Sequence, residues 1–150
     1  MIEGFPTDWA RNCTNVFLIR HPARVIASYS AKREEPTLED LGFVQQAQLF
    51  ESLGGGIVID STDIRADPEA KLRNLCKALS ISFQPEMLRW PAGGHPQDGI
   101  WAAHWYDAIH RSTGFAGAEG PRPDLSGAAA ELEKRALPYY EALKAHSLSG

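Results

Sequence analysis

The sequence predicts an α/β protein built on a parallel sheet, and three observations predict it. First, Val16–Ile19 is a short apolar run rich in β-branched and aromatic residues, and it leads into a helical pattern starting at Pro22. Second, the same rhythm returns: Ile57-Val58-Ile59 is followed by helix-start signals at Asp67-Pro68. Third, neither run alternates with polar residues, which predicts strands buried on both faces, as in parallel sheets covered by helices. Strands that each precede helices are the pattern of a parallel α/β fold.

Residues 1–14 read as a loop with Trp9 as an aromatic anchor. Arg20 ends the first strand, and Pro22 suits a helix's first turn, where its missing N–H costs nothing. Val25, Ile26 and Tyr29 make an apolar stripe, while Arg24 and Ser28 share another face. Lys32-Arg33 predicts the C-terminal turn, and Glu34-Glu35-Pro36 breaks the helix. Thr37 with Asp40 approximates a capping box. It opens one helix whose apolar face is Leu38, Leu41, Phe43, Ala47, Phe50 and Leu53, ended by Gly54-Gly55-Gly56. After Asp67-Pro68, Leu72, Leu75, Cys76 and Leu79 form an amphipathic stripe. Pro85 excludes a central strand in residues 81–90, where Trp90 reads as core or pocket wall. Residues 100–110, with Trp101, His104, Trp105 and Tyr106, read as helical, and residues 114–127 as a mobile loop rich in Gly, Pro and Ala. The closing helix, 128–146, places Leu132, Ala136, Tyr139 and Leu143 on one face, and Pro138 predicts a kink or a split. No repeat or boundary appears, so residues 1–150 are read as a single domain.

With 150 residues, 43% of them hydrophobic and 23% charged, the chain can bury a core. A formal net charge of −4 excludes a broad basic face for nucleic acid, so any anion site must be a local pocket. Cys13 and Cys76 are isolated and suggest neither a metal nor a disulfide framework, and His95 and His110 lack metal-ligand spacing. No metal is expected. No apolar run is long enough to span a membrane, and the first residues lack the order of a signal peptide, so a cytoplasmic protein with no membrane partner is expected.

Chemistry-bearing residues gather where the first strand hands over to its helix. In open α/β sheets this carboxyl edge is where ligands bind, and a fixed guanidinium such as Arg20 favours a phosphate there, with Arg24 adding charge. The competing reading of Arg20 is a structural ion pair, and that of Ser28 a hydroxyl bonded to its own helix. Arg111, Ser112, Thr113 and Gly114 form a second polar cluster, which also reads as a helix C-terminus with Gly114 as its left-handed stop. His104 titrates in the range of a general base, yet its aromatic neighbours suit packing. His21 reads as an N-cap or a ligand-facing residue. No catalytic residue is assigned.

The segment LIRHPARVIASY resembles the sulfotransferase family, in which an arginine ending a strand and a serine eight residues later grip the 3′-phosphate of phosphoadenosine phosphosulfate; Arg20 and Ser28 stand at that separation. Arg24 replaces the family's usual acidic residue, and His21-Pro22 its common Asn-Pro. STDIRADPEAKL resembles the family's tyrosine-glutamate-aspartate segment, matching at Asp63, Asp67 and Pro68 with Ser61 and Thr62 in place of the first two. WAAHWYDAIHRSTGF and EDLGFVQQAQLFE resemble a bacterial sulfotransferase-like subgroup, sometimes labelled branched-chain aminotransferase-like.

The resemblance implies a P-loop NTPase-like parallel sheet flanked by helices, and transfer of a sulfuryl group to a hydroxyl or amine of a small-molecule acceptor. It also implies a late segment closing over the 3′-phosphate, the place for Arg111, Ser112, Thr113 and Gly114. No loop rich in glycine, lysine or arginine precedes Arg20, so the fold is expected to be incomplete at its N-terminus, lacking the phosphate-loop unit. An impaired enzyme, a non-catalytic remnant and a nucleotide-binding module are then all readings to weigh. A further one comes from LIRHP, which resembles the histidine phosphatases, although Pro22 stands where they have glycine and removes an N–H from the phosphate loop.

Overall fold

The computed structural model describes residues 6–31, 35–100, 102 and 106–148. Two strands, β1 (Val16–Ile19) and β2 (Ile57–Asp60), pair in parallel with Ile19 opposite Asp60, so both end level at one edge. Between them run α1 (Pro22–Ser30), α2 (Leu38–Leu41) and α3 (Phe43–Ser52); after β2 come α4 (Ser61–Ala66) and α5 (Pro68–Ala78). A short α6 (Asp107–His110) and a long α7 (Gly127–Lys144) follow. The molecule is thus an α/β arrangement of a small parallel sheet flanked by helices, as the sequence predicts.

The main core cluster lies on one face of the sheet. Phe17, Ile19 and Val58 pack with Phe43 of α3 and with Ala136, Tyr140 and Leu143 of α7. Each fully buried aliphatic side chain here is worth about 1.5–3 kcal/mol. Gly56 lets β2 begin close to β1: a Cβ there would lie 2.6 Å from the Phe17 ring.

Several expectations are corrected. β1 is not buried on both faces: Phe17 and Ile19 are inside, while Val16 and Leu18 are 40% and 57% exposed. Helices roof only one side of it, and the Leu18 carbonyl is met by the side-chain amide of Gln46 at 3.0 Å. The single helix expected from Thr37 is two, because Gly42 takes φ +73 and separates α2 from α3; the Thr37–Asp40 capping box itself is fully formed. Pro138 does not split α7, and Tyr140, rather than Tyr139, is the tyrosine buried with Leu132, Ala136 and Leu143. α1 ends at Ser30, and Lys32, Arg33, Trp101, His104 and Trp105 lie outside the described residues. Features with no sequence forecast include the short α4 and the tail after α7, where the Leu148 amide bonds the Val58 carbonyl at 2.9 Å along β2.

Candidate anion site at the carboxyl edge of the sheet

Both strand ends deliver cations to one point. Arg20 is the residue after β1, and Arg24 lies one turn into α1. After β2, Asp60 caps α4 by accepting from the Thr62 amide at 2.8 Å, and the spacing of three places Thr62 and Arg65 on one face of that helix. All four side chains converge on Glu119, from the segment between α6 and α7. Arg20 donates to Oε1 from Nε at 3.1 Å and from a terminal nitrogen at 2.6 Å. Arg65 donates to the same oxygen at 3.3 Å. The other oxygen, Oε2, takes the Thr62 hydroxyl at 2.9 Å and Arg24 Nε at 2.8 Å.

The carboxylate of Glu119 is 1% exposed. Burial by itself would raise its pKa; the hydrogen bonds from Arg20 and Thr62 and the charges of Arg20 and Arg24 overcome that and hold it below the ordinary glutamate value. Three guanidiniums face a single carboxylate, so the cluster carries two surplus positive charges. A singly charged acid therefore sits in surroundings suited to a phosphate dianion.

Ser28 lies one turn beyond Arg24 on α1, exposed, and does not touch this cluster. Arg111, Ser112, Thr113 and Gly114 lie at the root of the segment instead. The Ser112 hydroxyl accepts from the Trp90 indole at 2.9 Å, the Thr113 carbonyl accepts from the Trp90 amide at 3.2 Å, and Gly114 bridges to Arg89. Arg111 is 76% exposed, its nearest acid being Asp107 at 3.9 Å. These four residues line an open cleft of about 730 Å³ with Asp67 and Arg89, to which Arg20 and Arg24 do not contribute.

A second buried acid stands beside the first site. Asp60, 1% exposed, accepts from the Tyr140 hydroxyl at 2.6 Å, and Lys144 Nζ lies 3.0 Å from it and 2.9 Å from Asp63. Burial would raise the Asp60 pKa, but the bonds from Tyr140, Thr62 and Lys144 bring it down. His21 is buried, caps α1 by accepting the Ala23 amide on Nδ1 at 3.3 Å, and packs edge-on to Tyr140. Burial, then Arg122 and Arg24, push its pKa below the usual value against Glu133 and Asp60. With one nitrogen occupied and the ring enclosed, His21 serves as a helix cap, which removes the support for a phosphatase-like role.

Thr62, Arg65 and Glu119 were not among the sequence candidates. The Thr62/Arg65 spacing after a strand was a usable signal. Glu119 offered only a single acid among small residues.

Arginines from both strand units thus meet at the carboxyl edge of a parallel α/β sheet. The chain belongs to the sulfotransferase-domain family, whose model matches residues 1–147. It is 34% identical over 147 residues to branched-chain-amino-acid aminotransferase-like protein 1 of Arabidopsis thaliana, and 33% identical to branched-chain-amino-acid aminotransferase-like protein 2 of the same plant. Each match covers 95% of this chain and 26% of the plant protein, so the chain spans about a quarter of the length of these relatives. No solved structure matches. Among the described residues no helix is long and apolar enough to cross a membrane, and no group of three or more His, Cys, Asp or Glu is placed to hold a metal.

Proposed function

We propose that the chain contributes the 3′-phosphate half of a donor site for phosphoadenosine phosphosulfate within a P-loop-like sulfotransferase acting on a small hydroxyl or amine acceptor. The single observation that carries this is the set of arginines gathered on one carboxylate at the strand ends. A carboxylate and a phosphate offer guanidinium the same paired oxygens, so residues that grip the one fit the other. The donor would supply the sulfuryl group. Arg20 would take the phosphate in a two-nitrogen grip, as it takes Glu119 Oε1, and Arg24 would neutralise the remaining charge. Ser28, on the Arg24 face of α1, would donate its hydroxyl to the outer phosphate oxygen. Arg111, Ser112, Thr113 and Gly114 would set the root of the segment that carries Glu119 across the site. No general base is assigned, so the reading covers donor binding rather than proton transfer.

The test is titration of the protein with adenosine 3′,5′-bisphosphate, the donor without its sulfuryl group. Micromolar binding is expected, falling about 100-fold in Arg20→Ala, the scale of losing one partner of a buried charged pair. Equal affinity in the variant would overturn the reading.

A further inference from the structure

Segment 115–126 has no regular secondary structure, and its residues 115–118 and 120–122 are exposed. Within it, the Glu119 side chain is deeply buried. The adjoining backbone is held by the same cations: the Gly117 carbonyl accepts from Arg65 Nε at 3.0 Å and from a terminal nitrogen at 2.6 Å, and the Gly120 carbonyl accepts from Arg24. At Gly117, Glu119 and Gly120 the strap meets the strand ends through oxygens on cations or a hydroxyl, so these contacts can exchange for any better set of oxygens. Those oxygens would come from an anion carrying more charge than the carboxylate, because expelling Glu119 leaves three guanidinium charges to be met.

We infer that Glu119 is a built-in occupant of the anion site, and that a phosphate group on the ligand replaces its carboxylate on Arg20, Arg24, Arg65 and Thr62, releasing the strap. Arg65 and Thr62 thereby become ligand residues, drawn from the β2 side to meet Arg20 and Arg24 from the β1 side. The affinity of the free protein for phosphate is lowered by the cost of expelling its own acid, and the strap opens only when a group of sufficient charge arrives. This rests on the donor-site reading for the identity of the nucleotide, but not for the anion chemistry.

The wild-type protein, Glu119→Gln and Arg65→Ala are titrated separately with adenosine 3′,5′-bisphosphate and with inorganic phosphate. Glu119→Gln should bind each at least tenfold more tightly, and Arg65→Ala at least tenfold more weakly. In the wild type, adding either probe should speed cleavage after Glu119 by a glutamate-specific protease, the reverse of ordinary ligand protection. If phosphate behaves this way but the nucleotide does not bind, the internal occupant stands and the donor reading falls. If the nucleotide binds through Arg20 but Glu119→Gln binds no better, or the probes slow cleavage, Glu119 is a fixed support for the arginines and the inference falls. It falls also if neither probe binds any variant.

Discussion

Two buried carboxylates sit side by side at the sheet edge, and they are built in opposite ways. Asp60 belongs to the sheet itself, and its partners Tyr140 and Lys144 come from one long helix. Glu119 belongs to an irregular segment, and its partners come from the ends of both strand units. In the first, acid and partners are both fixed by packed elements. In the second, the partners are fixed, and the acid is held by three guanidiniums and the Thr62 hydroxyl. The difference separates a joint that fastens α7 to β2 from the proposed receptor, whose resident acid would be exchanged for a ligand's phosphate. His21 strengthens the first, lying against Tyr140 from the α1 side.

The largest effect should come from breaking the joint. Asp60→Ala removes the cap of α4, worth about 1 kcal/mol, and leaves the Tyr140 hydroxyl unsatisfied in the interior, worth about 1–3 kcal/mol. Lys144 is 36% exposed and keeps Asp63, so its share is small. A loss of about 3 kcal/mol is expected in urea denaturation, the same in phosphate buffer as in phosphate-free buffer of equal ionic strength. Glu119→Ala should cost about 1 kcal/mol without phosphate, and phosphate should restore it by binding the folded state. Equal sensitivity of both variants to phosphate would erase the distinction between joint and receptor.

Acid provides a finer test. Glu119 titrates below its unfolded value, so its contribution is complete above the ordinary glutamate pKa of about 4.3 and is lost as pH falls through the lower, folded value. The carboxyl carbon-13 resonance of Glu119 should therefore titrate with a midpoint below about 4.3. In Arg20→Ala the midpoint should rise toward that value, because the hydrogen bonds and the nearest charge are gone. A midpoint above the ordinary value in the wild type would mean that burial outweighs the arginines.

Much of this was legible from local chemistry. The run Val16–Ile19 and the sequence Asp67-Pro68 carry their own instructions: β-branched residues for a strand, a carboxylate and a fixed φ for a helix start. The capping box at Thr37 was legible for the same reason. The break at Gly42 was missed because the apolar period continues across it, and the period does not report a left-handed residue. Arg20 and Arg24 could be placed at the cluster because both follow directly on the end of a strand. Arg65 meets Glu119 across 54 residues, and no local pattern encodes a contact at that separation. The one-sided burial of β1 was hidden likewise, since an apolar residue reads the same whether or not a helix covers it.

The smallest effect is expected at Arg111, and it sharpens where the receptor ends. The guanidinium is 76% exposed with an acid at 3.9 Å, a surface pair worth little. Arg111→Ala should shift stability by no more than about 0.5 kcal/mol in thermal denaturation. It should change affinity for adenosine 3′,5′-bisphosphate less than about threefold, well short of the tenfold that one clear 1.4 kcal/mol interaction brings. Ser112→Ala differs, because it takes the partner from the half-buried Trp90 indole and loosens the root of the strap. Should Arg111→Ala instead lose tenfold or more in affinity with stability unchanged, the root must swing toward the phosphate once Glu119 leaves. The receptor would then extend along the whole segment rather than ending at the three arginines that face Glu119.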